Sequence, residues 1–111
     1  MTFFGRLRRQ FPDSWGLLAL HPRNEGVRGF RQAAKEKAEG MSTGATDIVI
    51  PGRPAFVCEL KRRDHTQSSI SPEQLAYLRA AQSAGAYVCV ALGVDAAWDA
   101  LQDWMTHHVE A

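Results

Sequence analysis

The chain has 111 residues, of which 45% are hydrophobic and 23% charged, and this composition suits a single domain over residues 1–111. The net charge of +1 hides an uneven distribution, because residues 1–63 carry twelve Lys and Arg against six Asp and Glu, whereas residues 64–111 carry one against six. A basic half favours an anionic partner such as a nucleic acid. No apolar run approaches the ~20 residues of a membrane span and the opening residues lack a signal-peptide pattern, so we expect a cytoplasmic protein without membrane contact.

The first half of the chain alternates helical and strand patterns. Residues 3–11 place Phe and Leu at helical spacing among arginines and predict a short basic helix, and the apolar run 15–20 predicts a buried strand. Residues 26–39 are rich in Ala, Lys and Glu from their middle onward and predict a helix that ends at a glycine. Residues 47–50 and 55–61, separated by a Pro-Gly pair, predict the two strands of a hairpin.

The second half continues the same alternation. Ser71 and Pro72, followed by Gln74, form the start signal of a helix that we expect to run to about residue 83. The apolar run 86–92 predicts a central strand covered on both faces. A final helix is expected to present one apolar face formed by Val94, Trp98, Leu101 and Met105. This order of elements predicts an α/β sandwich, a small mixed β-sheet flanked by helices.

The two cysteines carry no sign of a metal or disulfide site. Cys58 and Cys89 each lie within an apolar run, and no Cys-x-x-Cys spacing is present. We therefore expect buried, reduced thiols.

Candidate chemistry is concentrated on the predicted hairpin. Residues two apart on a strand project to the same face, so Glu59 and Lys61 project together. If Asp47 begins the neighbouring antiparallel strand, its carboxylate converges with that of Glu59. Two close carboxylates repel unless a cation lies between them, and Mg²⁺ or Mn²⁺ prefers such oxygen ligands. Lys61 beside them is placed to orient or deprotonate a water, or to stabilise charge on a phosphate.

Each of these residues also has a simpler interpretation. A Glu-x-Lys pair on a strand is most often a solvated edge with a weak ion pair. Gln74 alone is the capping residue of its helix. His21 either contacts the candidate site or packs against the sheet.

The ordered combination of motifs is more specific than any one of them. The motifs are His-Pro-Arg-Asn-Glu-Gly at 21–26, a Gly-rich turn leading to Asp47, Cys-Glu-Leu-Lys-Arg at 58–62, Ser-Pro-Glu-Gln at 71–74 and Gly-Ala-Tyr-Val at 85–88. In this order they resemble the VRR-NUC family, the virus-type replication-repair nucleases of the PD-(D/E)XK nuclease superfamily. The resemblance covers roughly residues 18–93.

That resemblance implies a restriction-endonuclease-like PD-(D/E)XK sandwich with a metal-dependent active site. The family's metal-binding acids fall on Glu25, Asp47 and Glu59, its catalytic lysine on Lys61, and the glutamine that lies near its site on Gln74. The implied cofactor is Mg²⁺ or Mn²⁺. One position departs from the family pattern, because the family usually has Pro before the metal-binding Asp and this chain has Thr46. Since that Pro performs no chemistry, we expect altered backbone rigidity and retained activity.

The resemblance also implies a function and a partner. We expect a bacterial or phage-encoded endodeoxyribonuclease that hydrolyses phosphodiester bonds, selects branched DNA such as Holliday junctions or flaps, and acts in replication, recombination or repair. Symmetric cleavage favours a homodimer, with the Phe3-Phe4-Leu7 segment or the apolar face of the final helix as candidate interfaces. Besides the arginines of residues 6–9, the candidate nucleic-acid-binding residues are Arg28, Arg31, Lys35, Ser42, Arg62 and Arg63.

Two alternatives stay open. One is a catalytically inactive nucleic-acid-binding module of the same fold, which the basic half and Thr46 both favour. The other is a small α/β domain whose surface charges share no role, and scattering of Asp47, Glu59 and Lys61 over different faces would support it.

Overall fold

The computed structural model describes residues 2–22, 46–62 and 70–110. Within these ranges the regular elements are four α-helices, three β-strands and a closing π-helical turn. In chain order they are α1 (Phe3–Gln10), α2 (Trp15–Leu18), β1 (Ile48–Ile50), β2 (Phe56–Lys61), α3 (Pro72–Ser83), β3 (Tyr87–Leu92), α4 (Val94–Asp103) and the π-helical turn (Trp104–His108). The helix predicted over residues 26–39 lies outside the described residues, and the single-domain assignment stays a prediction.

The three strands form a mixed sheet. β1 pairs with β2 in antiparallel register, with Ile48 opposite Cys58, and β2 pairs with β3 in parallel register. β2 is therefore the middle strand of the described sheet. The predicted hairpin and the mixed α/β architecture are both confirmed.

The strand predicted for residues 15–20 was wrong. Its first part is the short helix α2, and only Leu20 reaches the sheet, through an isolated bridge to Val49. The reason is a close approach to α1: the amide of Gly16 donates to the carbonyl oxygen of Phe11 at 2.8 Å, and a Cβ at Gly16 would lie 2.7 Å from the Cα of Arg8. A short apolar run fits a strand and a packed helical turn equally well, so the sequence pattern alone does not distinguish these two structures.

The prediction that both faces of the last strand are covered was also wrong. Among the described residues β3 lies at the side of the sheet, and Val90 and Leu92 are 41% and 42% exposed. The opposite face of β3 packs into the core through Ala91 and the half-buried Cys89. The strand is therefore covered on one face, although its sequence is apolar on both.

The main core lies between the sheet and the helices α1 and α4. Phe3 and Leu7 of α1 and Trp98 of α4 are buried there, with the Phe3 and Trp98 rings 5.8 Å apart in an edge-to-face arrangement. Burying each large apolar side chain contributes about 1.5–3 kcal/mol. The predicted apolar face of the final helix is confirmed. Phe3, Leu7 and Trp98, which belong to the two segments named as alternative dimer interfaces, are thus buried within one chain.

The helix α3 begins and ends as its sequence predicts. The side chain of Ser71 accepts from the amide of Gln74 at 3.1 Å and the side chain of Gln74 accepts from the amide of Ser71 at 3.0 Å, forming a capping box. After the helix, Gly85 adopts φ of +100°, a conformation that glycine reaches without steric cost. This helix start fixes Gln74 at the end of the sheet where β2 terminates.

Both cysteines are free thiols, as expected. Cys58 is buried, Cys89 is half-buried, and the two are direct partners in the β2–β3 ladder. Hydrogen bonding to Cys89, together with burial, raises the pKa of Cys58, which therefore stays a neutral thiol. No described helix is long and apolar enough to cross a membrane.

Candidate active site

Asp47 directly precedes β1 and lies beside the end of β2. Continuing the β1–β2 register by one residue sets Asp47 opposite Glu59. Side chains of opposite residues in an antiparallel pair lie on the same face, close enough to interact. The amide of Leu60 donates to Asp47 Oδ2 at 2.9 Å, which holds this carboxylate against the β2 backbone. The two acids therefore lie at the same end of the sheet.

Glu59 is a fully buried acid on the middle strand. Its side chain is only 1% exposed, and Lys61 Nζ lies 3.9 Å from Glu59 Oε2. A buried carboxylate is costly unless positive charge lies close to it. Lys61 supplies positive charge of this kind beside Glu59.

Lys61 is held between an acid and an amide. Its Nζ donates to Gln74 Oε1 at 3.2 Å, and its side chain is 16% exposed. Gln74 reaches Lys61 because the capping box fixes the first turn of α3. The ammonium group is thus positioned from two sides while part of it stays accessible.

The donor set fits a divalent metal ion. Asp47 and Glu59 present carboxylate oxygens, which hard cations such as Mg²⁺ and Mn²⁺ prefer. The described residues contain no cluster of three acids, histidines or cysteines that would complete a metal site by themselves. The third predicted ligand, Glu25, lies outside the described residues.

Comparison with known proteins identifies the fold. A solved structure described as a VRR_NUC domain protein superposes with a TM-score of 0.76 at 20% sequence identity, covering 93% of this chain and 81% of that one. The chain has the fold of a VRR_NUC domain. No protein-family model matches the sequence, and no curated protein matches it either. The expected nuclease-like sandwich, with its small mixed sheet flanked by helices, is thereby confirmed as a fold.

The VRR_NUC fold brings together four of the five predicted catalytic residues. Asp47, Glu59, Lys61 and Gln74 lie around the end of β2, where Lys61 contacts both Glu59 and Gln74 and the Leu60 amide holds Asp47 to the same strand. These four residues lie together and are not scattered over different faces. Scattering was the observation that would have favoured a domain whose surface charges share no role. Their catalytic roles stay predictions.

The described residues include only some of the predicted nucleic-acid-binding residues. Arg62 is exposed directly after β2, at the same end of the sheet as Lys61. The other candidates lie outside the described residues; these are Arg28, Arg31, Lys35, Ser42 and Arg63. On α1, Arg8 and Arg9 are exposed, whereas Arg6 packs over the Trp98 ring at 4.1 Å.

Thr46 occupies the position where the VRR-NUC pattern that the sequence resembles usually has Pro. It is 1% exposed, and its hydroxyl has no hydrogen-bond partner within the described part of the chain. Proline would bring no hydroxyl to this position. Thr46 in place of Pro therefore puts an unsatisfied hydroxyl next to Asp47 and leaves the acids in position.

Two features of the site lay beyond the sequence pattern. The first is the amide of Leu60, a backbone donor that any residue supplies and that no side-chain motif reveals. The second is the role of His21, for which two interpretations were open. His21 Nδ1 donates to the carbonyl oxygen of Asp47 at 2.6 Å, and its ring lies 5.7 Å from that of Phe4. His21 thus contacts the site through the backbone of Asp47.

Proposed function

We propose that this protein is a Mg²⁺- or Mn²⁺-dependent endodeoxyribonuclease. The observation that carries the proposal is the convergence of Asp47, Glu59 and Lys61 at one end of the sheet. An acid pair with an adjacent lysine suits phosphodiester hydrolysis, because the reaction needs metal ligands and a group that stabilises or transfers charge. The VRR_NUC fold supports the same reaction class.

Each residue of the site has a distinct part in the proposed mechanism. Asp47 and Glu59, with Glu25, would hold the metal ion, which would supply Lewis-acid activation of the scissile phosphate and the attacking water. Lys61 Nζ, 3.9 Å from Glu59, lies where it can stabilise negative charge on the phosphate or exchange a proton with the attacking water. Gln74 acts as a positioning residue, because its carboxamide oxygen holds Lys61 Nζ.

The proposed substrate is DNA, with preference for branched forms such as Holliday junctions and flaps. The basic character of residues 1–63 favours binding to the phosphate backbone, which is sequence-independent and salt-sensitive. Paired cuts in a four-way junction favour a C2 homodimer. The setting that fits this activity is replication, recombination or repair in the cytoplasm of a bacterium or a phage-infected cell.

The experiment is cleavage by the full chain with Mn²⁺ of four substrates: a four-way junction, a flap, a linear duplex and a single strand. Glu59→Gln and Lys61→Met are the test variants. Glu73→Gln is the matched control, since Glu73 is an exposed acid in the first turn of α3. We expect cleavage of the branched substrates by the wild type and the control, and losses of about 100-fold or more in both test variants.

Two results would overturn the proposal. One is the absence of cleavage by the wild type on every substrate with Mn²⁺. The other is cleavage by Glu59→Gln and Lys61→Met at the wild-type rate. Salt-sensitive DNA binding that is indifferent to metal, without any cleavage, would identify the inactive binding module instead.

A further inference from the structure

A cavity of about 320 Å³ opens between the start of α1 and the beginning of β1. The side chains of Phe4 and His21 form part of its wall, and Asp47 and Leu60 border it on the side of the candidate site. The volume lies at the lower end of the range for ligand cavities. It therefore suits a single flat ring system and excludes a duplex.

The wall of this cavity is mainly apolar and aromatic. Phe4 is half-buried, with its ring 5.7 Å from the His21 ring and 5.9 Å from the Phe3 ring. His21 is fixed in turn by its hydrogen bond to the carbonyl oxygen of Asp47. An aromatic wall that is held in place beside a polar backbone is suited to stacking a flat, polar-edged ring.

The helix that contributes Phe4 is strongly basic. α1 contains three arginines and no acid, and Arg8 and Arg9 are exposed. The guanidinium of Arg8 lies 5.2 Å from the centre of the Phe4 ring, so positive charge and aromatic surface are adjacent. Charge of this sign beside an aromatic wall matches a nucleic-acid strand, in which each base is attached to a phosphate-bearing backbone.

We propose that the cavity receives one unstacked nucleobase of the DNA strand, while Arg8 and Arg9 bind neighbouring phosphates. The inference rests on the proposed function, because Asp47 borders the cavity and the scissile phosphate is placed at Asp47 and Glu59. Removing a base from a stack costs least where the base is already unpaired, as at a flap or junction. The cavity would thus select branched DNA through base stacking, without reading sequence.

The experiment measures DNA binding by the full chain without a metal ion, so that cleavage plays no part. Phe4→Leu removes the aromatic face and keeps an apolar side chain. Phe11→Leu is the matched control, because Phe11 is also half-buried but stacks on Trp98, 6.5 Å away, and does not border the cavity. Thermal unfolding of both variants reports any common loss of stability.

We expect Phe4→Leu to bind flap DNA about tenfold more weakly than the wild type, the loss typical of one base–aromatic stack. Binding to a fully paired duplex should change by less than about twofold, and Phe11→Leu should leave flap binding unchanged. A series of flaps with one abasic nucleotide at successive positions then locates the base. At one position the wild type should lose about tenfold while Phe4→Leu loses nothing further.

The proposal is overturned if Phe4→Leu binds flap DNA like the wild type, or if Phe11→Leu weakens binding equally. It is also overturned if no abasic position removes the difference between Phe4→Leu and the wild type. A wild type that binds flaps with the expected Phe4 dependence but cleaves nothing with Mn²⁺ contradicts the nuclease proposal alone. Mn²⁺-dependent cleavage with no effect of Phe4→Leu contradicts this inference alone.

Discussion

The carboxamide oxygen of Gln74 lies 3.2 Å from Lys61 Nζ and accepts a hydrogen bond from it. The same oxygen accepts from the amide of Ser71 at 3.0 Å, as half of the capping box of α3. One atom therefore joins the start of a helix to the candidate catalytic lysine. The geometry is therefore consistent with both interpretations of Gln74, as a capping residue and as a site residue.

Substitutions at the capping box separate these two roles. Ser71→Ala removes the hydroxyl that caps the Gln74 amide and should lower the free energy of unfolding by about 1 kcal/mol, while the Lys61–Gln74 contact persists. Gln74→Leu should cost a similar amount and also lower the cleavage rate about tenfold, because Lys61 loses its acceptor. Chemical denaturation and single-turnover cleavage of both variants test this. Equal cleavage rates in the two variants would show that Gln74 acts only on the helix.

Tyr87 predicts a specific loss of stability at alkaline pH. Burial, together with a 2.8 Å hydrogen bond to Asp103, raises the pKa of the Tyr87 hydroxyl above its ordinary value of about 10. The folded protein therefore keeps this proton where the unfolded chain loses it. The associated stability is complete below about pH 10 and is lost as the pH rises above that value.

The control for this prediction is Tyr87→Phe, which keeps the ring stacked on Phe56 and removes the titrating group. Denaturation curves at about pH 8 and about pH 11 should show a larger loss of stability in the wild type than in the variant. His108, whose Nε2 lies 3.3 Å from Asp103 Oδ2, remains in both proteins. Identical losses in the two proteins would exclude Tyr87 as the source.

Thr46 is expected to carry a cost in stability. Its buried hydroxyl has no hydrogen-bond partner within the described residues, and an unsatisfied polar group of this kind costs about 1–3 kcal/mol. Thr46→Val keeps the shape and removes that hydroxyl, so the free energy of unfolding should rise by about 1 kcal/mol. Thr46→Ser keeps the hydroxyl and loses a methyl group, so stability should fall by about 1 kcal/mol. A loss of stability in Thr46→Val would contradict the assignment and indicate a partner for the hydroxyl.

The parts of the fold that the sequence predicted correctly depend on local chemistry. The capping box at Ser71 and Gln74 specifies a helix start through neighbouring residues alone. The alternation along residues 55–61 likewise sets Glu59 and Lys61 on one face of β2, whatever the rest of the chain does. The fold class followed from these local signals together with the family resemblance.

The parts that it predicted wrongly depend on contacts between distant segments. The run 15–20 forms α2 because Gly16 packs against the backbone of α1, a contact that apolar composition does not encode. The apolar faces of α1 and α4 fitted either the core or a subunit contact, and Phe3 and Trp98 pack against each other in the core. An amphipathic pattern shows that a face is buried without identifying what covers it.

The same distinction between local signals and contacts of distant segments applies to the candidate site. Its acids and lysine followed from spacing and resemblance, whereas the amide that fixes Asp47 belongs to Leu60, whose side chain gives no hint of that role. The cavity beside Phe4 arises where α1 meets β1, between residues such as Phe4 and Asp47 that are more than forty positions apart in sequence.

Calorimetric titration of Mn²⁺ into the purified full chain tests whether Asp47 and Glu59 form a metal site. We expect binding by the wild type and by the surface control Glu73→Gln, and loss of that binding in Asp47→Asn and in Glu59→Gln, with all four proteins folded by circular dichroism. Binding of Mn²⁺ that is unchanged in both Asp47→Asn and Glu59→Gln would contradict the assignment of these two residues as the metal site.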